Sequence, residues 1–191
     1  MTAHLSPHVK ALIAKARIVS FDGWQEQFGA AAIAALQTAD DERRYLDLGE
    51  ALLTTMPAGA VARHLGEHAA TLVDQARAQV LGQFPDITQP GGGLYPPMRA
   101  EACWRDFWQF LRCITYGIAA QRTDYTDATG LAYMEQLYQE LQVPLAAMVL
   151  GLQALKTASQ QQLAELATSN APIDPYFDRL IDALASFQPA D

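Results

Sequence analysis

The sequence predicts an all-α protein of about eight helices, and three observations carry that prediction. Nearly every segment repeats its apolar residues at intervals of three and four, as one face of a helix requires. No clean run alternates apolar with polar residues as a half-buried strand would. The prolines and glycines fall between the periodic segments or at their first turns, where helices tolerate them.

Taken in order, a first helix is expected from about Ser6 to Ile18, with Pro7 in the permitted first turn. Asp22, with Gln25 three residues on, reads as a capping box opening a second helix that runs to about Thr38. A third is expected over Asp40 to Thr55, stopping before Pro57. From Ala58 to Gln83 the residues Val61, Leu65, Ala69, Leu72, Ala76 and Val80 form one stripe, predicting a single long helix. Phe84 to Pro97, with four prolines and three consecutive glycines, is a structured loop. Helix resumes from Arg99 to about Ala120, with Cys103, Phe107, Phe110, Leu111, Ile114 and Ile118 on one face. Further helices are expected over Asp127 to Leu141, from Pro144 to about Ala167, and from Pro172 or Asp174 to near Ser186.

The chain has 191 residues, half of them hydrophobic and 18% charged, which suits one ordinary domain with a sizeable core. Its 13 basic and 21 acidic residues give a formal charge of −8, and no Lys/Arg-rich run exists. The footprint of a nucleic-acid binder is therefore missing. The most apolar stretch, Pro144 to Leu155, is too short to span a bilayer, so no membrane insertion is expected. The first residues carry no charged and then apolar pattern, so no secretory signal is expected. Cys103 and Cys113 stand ten residues apart on one helix, about 15 Å along its axis, too far for a disulfide. Reduced thiols or an attachment point fit them better, in a reducing compartment.

Four segments carry a family resemblance. Cys103-Trp-Arg-Asp-Phe-Trp-Gln-Phe-Leu-Arg-Cys-Ile-Thr-Tyr-Gly117 resembles the pigment-bearing helix of phycocyanins and allophycocyanins. Phe84-Pro-Asp-Ile-Thr-Gln-Pro-Gly-Gly-Gly-Leu-Tyr95 is similar to the entry to that helix. Gly130-Leu131 through Leu141-Gln-Val-Pro144, and the terminal Tyr176-Phe-Asp178 with Ile181 to Ser186, match two later segments in order. The likeness covers about residues 67 to 188. Residues 1–57 match poorly and stand as divergent N-terminal helices on a globin-like core over about 58–188, all within one domain.

The resemblance to phycobiliproteins implies a globin-like fold with an N-terminal helical extension, and a covalent open-chain tetrapyrrole (a bilin of the phycocyanobilin type) at Cys103. It implies that Asp106 holds the inner pyrrole N–H groups and that Arg105 pairs with a propionate. Arg99 occupies a position that is basic in some family subunits, and Tyr116 is a candidate wall residue. Independently of the family, Arg99, Cys103 and Asp106 fall on one helical face at i−4, i and i+3. Trp104 and Trp108 depart from the family pattern, and two indoles there would either stack on a pigment or fill its space.

The implied role is light harvesting without enzymatic turnover, among other phycobiliprotein-like subunits, linker or photosystem proteins, as a homo- or hetero-oligomer. The implied place is the cytoplasm, at the cytoplasmic face of the thylakoid. The other reading is a non-pigmented helper that docks on such subunits. His64-Leu-Gly-Glu-His68 spells an inverted zinc-protease pattern, with histidines one turn apart. No downstream third ligand accompanies it, and both histidines sit on a polar face. The expectation is a solvated surface and no metal.

Overall fold

In the computed structural model, residues 5–46, 55–164 and 172–188 are described. They form eight α-helices: α1 Pro7–Lys15, α2 Ala30–Asp41, α3 Gly59–Glu67, α4 Ala69–Gln83, α5 Pro97–Ala120, α6 Ala128–Glu140, α7 Leu145–Ala164 and α8 Asp174–Ala185. Their starts follow local chemistry. Ser6 Oγ accepts from Val9 N at the head of α1, and Asp127 Oδ1 accepts from Gly130 N at the head of α6.

Helix α5 is the axis of the molecule, packing against α3, α4, α7 and α8. Every residue from Phe110 to Ala120 is buried, which explains why its second half is apolar on nearly every side, with Arg112 and Thr115 the exceptions. The close approach of α7 depends on Gly151, where an added Cβ would lie 2.0 Å from Cζ of Phe107. α4 and α8 pack against α7, and α1 lies across α6.

Three expected elements turn out differently. The Asp22–Gln25 capping box does not form. Gly23 takes a left-handed φ of 77°, a short 3₁₀ turn spans Trp24–Glu26, and α2 begins only after Gly29. A left-handed residue cannot continue an α-helix, and in the turn that results Phe21, Trp24 and Phe28 are all buried, with the Phe21 and Trp24 rings 5.2 Å apart. α2 then runs through Asp41, so no helix starts at Asp40. Residues 44–46 are not helical, and the rest of that expected helix, residues 47–54, lies outside the described residues. The stripe from Ala58 to Gln83 is split into α3 and α4 at His68, whose φ and ψ of −100° and 7° bend the chain. His68 Nδ1 lies 2.8 Å from the His64 carbonyl oxygen, so a side chain takes part in the backbone ladder where the helix breaks.

α1 ends at Lys15, three residues short of Ile18, and the chain then runs extended along the segment before α6. Ser20 N donates to Tyr125 O at 2.9 Å and Asp127 N to Ile18 O at 2.8 Å, around an isolated bridge between Val19 and Thr126. Gly130 permits this, since a Cβ there would meet the Arg17 carbonyl oxygen at 2.4 Å. The N-terminal segment is thereby held beside the first half of α5.

Candidate functional site

Between α1, the end of α2, the first half of α5 and α6 lies a cleft of about 610 Å³. That volume falls within the usual range for small-molecule sites, roughly 300–1,000 Å³. Arg99, Cys103, Arg105 and Asp106 of α5 all line it, as do Lys10, Ile13 and Arg17 from the N-terminal segment and Met134, Leu137 and Tyr138 from α6. The face that the helical spacing predicts for Arg99, Cys103 and Asp106 is therefore the face turned to the cleft.

Six cationic side chains line the cleft (Lys10, Arg17, Arg43, Arg99, Arg105, Arg112) against three carboxylates (Asp40, Asp41, Asp106). In a chain of net charge −8 this is a local reversal of sign, and it favours an anionic ligand. The cations differ in how far they are committed. Arg112 donates to Asp40 Oδ1 at 2.8 Å and Arg17 to Asp40 Oδ2 at 3.4 Å. Arg99 is a tie rather than an open cation: its Nη2 donates to the carbonyls of Leu141 and Gln142 at 2.7 and 3.0 Å, and its Nε to Gly93 at 3.2 Å. It holds the end of α6 and the glycine loop against α5. Lys10 and Arg105 are exposed and make no salt bridge among the described residues.

Asp106 is the acid of the site. Tyr138 donates its hydroxyl to Asp106 Oδ2 at 2.7 Å. Burial pushes the Asp106 carboxyl up to about 6, opposed by that hydrogen bond and by the charge of Arg105. Cys103 is 5% exposed, and burial pushes its thiol up to about 12, with the Asp106 charge adding to the rise and Arg99 opposing it. At neutral pH the site thus presents a protonated, little reactive thiol beside a carboxylate that would be better off with a cationic partner.

Tyr116 corrects the expectation of a wall residue. It is fully buried and lines no part of the cleft; its hydroxyl accepts from Arg112 Nη1 at 2.6 Å and donates to the Arg44 carbonyl. On a helix, position 116 lies about 80° from the direction of Asp106 and nearly four turns from Cys103, deep in the core half. The indoles also resolve. Trp104 packs on Phe107 with Arg77 over its ring, and Trp108 meets Tyr45 edge-on. Neither lines the cleft, so neither fills the space beside Cys103.

Tyr138, Lys10 and Arg17 were missed by sequence reasoning. Tyr138 does belong to the buried stripe of α6 with Leu131 and Met134. Nothing local, however, couples it to a carboxyl 32 residues earlier. Lys10 and Arg17 enter only because α1 folds back across α6.

A family model described as phycobilisome protein matches residues 34–184. Allophycocyanin subunit alpha-B of Synechocystis sp. is 36% identical over 157 residues, covering 77% of this chain and 94% of that protein. The allophycocyanin alpha-B chain of Cyanophora paradoxa is 30% identical over 157 residues, covering 79% and 96%. Among solved structures, a far-red fluorescent biliprotein derived from a far-red induced allophycocyanin F subunit of Chroococcidiopsis thermalis superposes with a TM-score of 0.62. It shares 30% identity, over 66% of this chain and 95% of that one.

Proposed function

The chain belongs to the phycobilisome protein family, and we propose from that premise that it is a light-harvesting subunit carrying a covalent bilin at Cys103. The observation that supports this most is the cleft itself. A thiol and a carboxylate one turn apart on α5 face one space, and cations surround them.

The donor set suits the group. Bound there, an open-chain tetrapyrrole would supply the light absorption, and the chain would supply attachment, charge and rigidity. Cys103, buried at the wall of the cleft, would anchor the group through a thioether. Asp106 would accept from the inner pyrrole N–H groups and favour their protonated form; charge-assisted hydrogen bonds are roughly twice as strong as neutral ones. Tyr138 holds the carboxyl in place. Arg105 and Lys10, exposed and without salt bridges among the described residues, are the cations that would meet propionates, whereas Arg99 keeps a structural post. Rigidity comes from the packed second half of α5. The subunit works in an oligomer with other phycobiliprotein-like subunits, at the cytoplasmic face of the thylakoid. No helix among the described residues is long and apolar enough to cross a membrane.

The test is a visible spectrum of the chain co-produced with a bilin pathway, repeated in acidic denaturant and with Cys103→Ala. A band that survives denaturation and disappears in the variant is the expected result. A colourless chain isolated from a cyanobacterial host would overturn the pigment reading and leave the docking role in its place.

A further inference from the structure

The structure assigns a divalent-metal site to the corner between α3 and α4, formed by His64, Glu67 and His68 and taking a late first-row ion such as zinc. The sequence shows these residues at i, i+3 and i+4, and the polar face on which they lie suggests a solvated surface. The fold places them otherwise. Both histidines are half-buried, their rings 4.2 Å apart between centroids, and each of the three residues has a ligand atom within 4.8 Å of the other two.

The second observation is how His68 is held. Its Nδ1 lies 2.8 Å from the His64 carbonyl oxygen, so Nδ1 carries the proton and donates it. That leaves the lone pair on Nε2, and a ring nitrogen donating to a backbone carbonyl is the arrangement that orients a metal-ligating histidine. Gln162 of α7 also touches His64, its Nε2 lying 3.4 Å from the His64 Nε2, a long contact that an ion bound at that nitrogen displaces. The break at His68 matters too. It turns the histidine ring back over the last turn of α3, where the helix dipole favours a cation.

The ligand type follows from the donors. Two imidazoles and one carboxylate suit zinc and its neighbours and do not suit calcium or magnesium, which take oxygen sets. Ligands of one tetrahedral zinc at about 2.0–2.1 Å stand roughly 3.3 Å apart, so the three groups close in by about 1.5 Å when the ion enters. Glu67 is exposed and free to make most of that movement by side-chain rotation. Water completes the coordination. The assignment is to binding, and the ion would pin the α3–α4 corner.

Zinc is titrated by calorimetry into the full chain produced without bilin synthesis, so that no tetrapyrrole nitrogen competes. One equivalent binds, and His64→Gln and His68→Gln each weaken binding at least about 10-fold, a loss of about 1.4 kcal/mol. Glu67→Gln weakens it less. His8→Gln, which removes an exposed histidine facing Glu140, leaves it unchanged. Helicity by circular dichroism checks that each variant folds. Should a histidine variant unfold, modification of the wild-type histidines by diethyl pyrocarbonate decides instead: zinc protects His64 and His68 but not His8. Absence of saturable binding up to millimolar zinc overturns the site, as does equal affinity in the folded His68→Gln chain or modification of His64 and His68 that zinc slows no more than that of His8.

Discussion

The two halves of α5 treat the same kinds of residue in opposite ways. From Phe110 to Ala120 the helix is wholly buried, and its one charge, Arg112, is closed off. The Arg112 guanidinium reaches Asp40, Tyr116 and Gln109 at 2.8, 2.6 and 2.9 Å. From Cys103 to Asp106 the helix faces a cleft, and the charges of Arg105 and Asp106 are left incomplete. Asp106 has a tyrosine hydroxyl but no salt bridge, and Arg105 has no hydrogen-bond partner among the described residues. A charge satisfied within the protein serves the fold, and one left half-satisfied at a cleft is kept for a ligand. One helix therefore divides into a rigid half and a receptive half.

The contrast can be broken most strongly on the closed side. Asp40→Ala leaves Arg112 buried without its carboxylate, and urea unfolding should show a loss of about 3–5 kcal/mol. On the open side, removing the charge should do the reverse. The folded Asp106 carboxyl is pushed up to about 6 from the ordinary 3.8, so its contribution to stability is fully present below about pH 4 and is lost as pH rises through 6. Asp106→Asn should therefore make the pigment-free chain more stable than wild type above pH 6, by up to about 3 kcal/mol, and match it near pH 3. Equal stability at all pH values would show that the carboxyl is not strained by its surroundings.

Smaller effects sharpen the boundary between the halves. Gly151→Ala drives a methyl group into Phe107, where the cleft half meets the packed half, and should cost about 1–3 kcal/mol in chemical denaturation. Tyr138→Phe removes a hydrogen bond that lowers the Asp106 carboxyl, so its titration by NMR should move above 6. The least disruptive probe is alkylation of Cys103. With its thiol pushed up to about 12, it should react with iodoacetamide at pH 8 more slowly than a free cysteine, by a factor of 10 or more.

Much of this was legible before the fold. Periodicity located five of the eight helices (α1 and α5 to α8) to within a few residues, because a buried stripe at three and four spacing has few other solutions. The loop from Phe84 to Pro97 was legible because proline and glycine act locally. The elements that failed are those ruled by distant partners. Asp22 and Gln25 have the spacing of a cap, yet Gly23 turns left-handed and Trp24 is buried in the core. The stripe through Ala69 is continuous, yet the chain bends at His68.

The candidate site divides along the same line. That Arg99, Cys103 and Asp106 share a face follows from 100° per residue alone, and the family pattern around Cys103 names the pigment it would bear. Tertiary structure decided what that face looks into. It made Arg99 a tie for the end of α6, sent Tyr116 into the core and brought Tyr138 to Asp106. It turned both indoles away and gathered His64, Glu67 and His68 at a corner. Sequence determines what each residue can do and which neighbours lie within a turn. Burial and partnership between helices arise only on packing, since they depend on atoms that the chain brings together from tens of residues away.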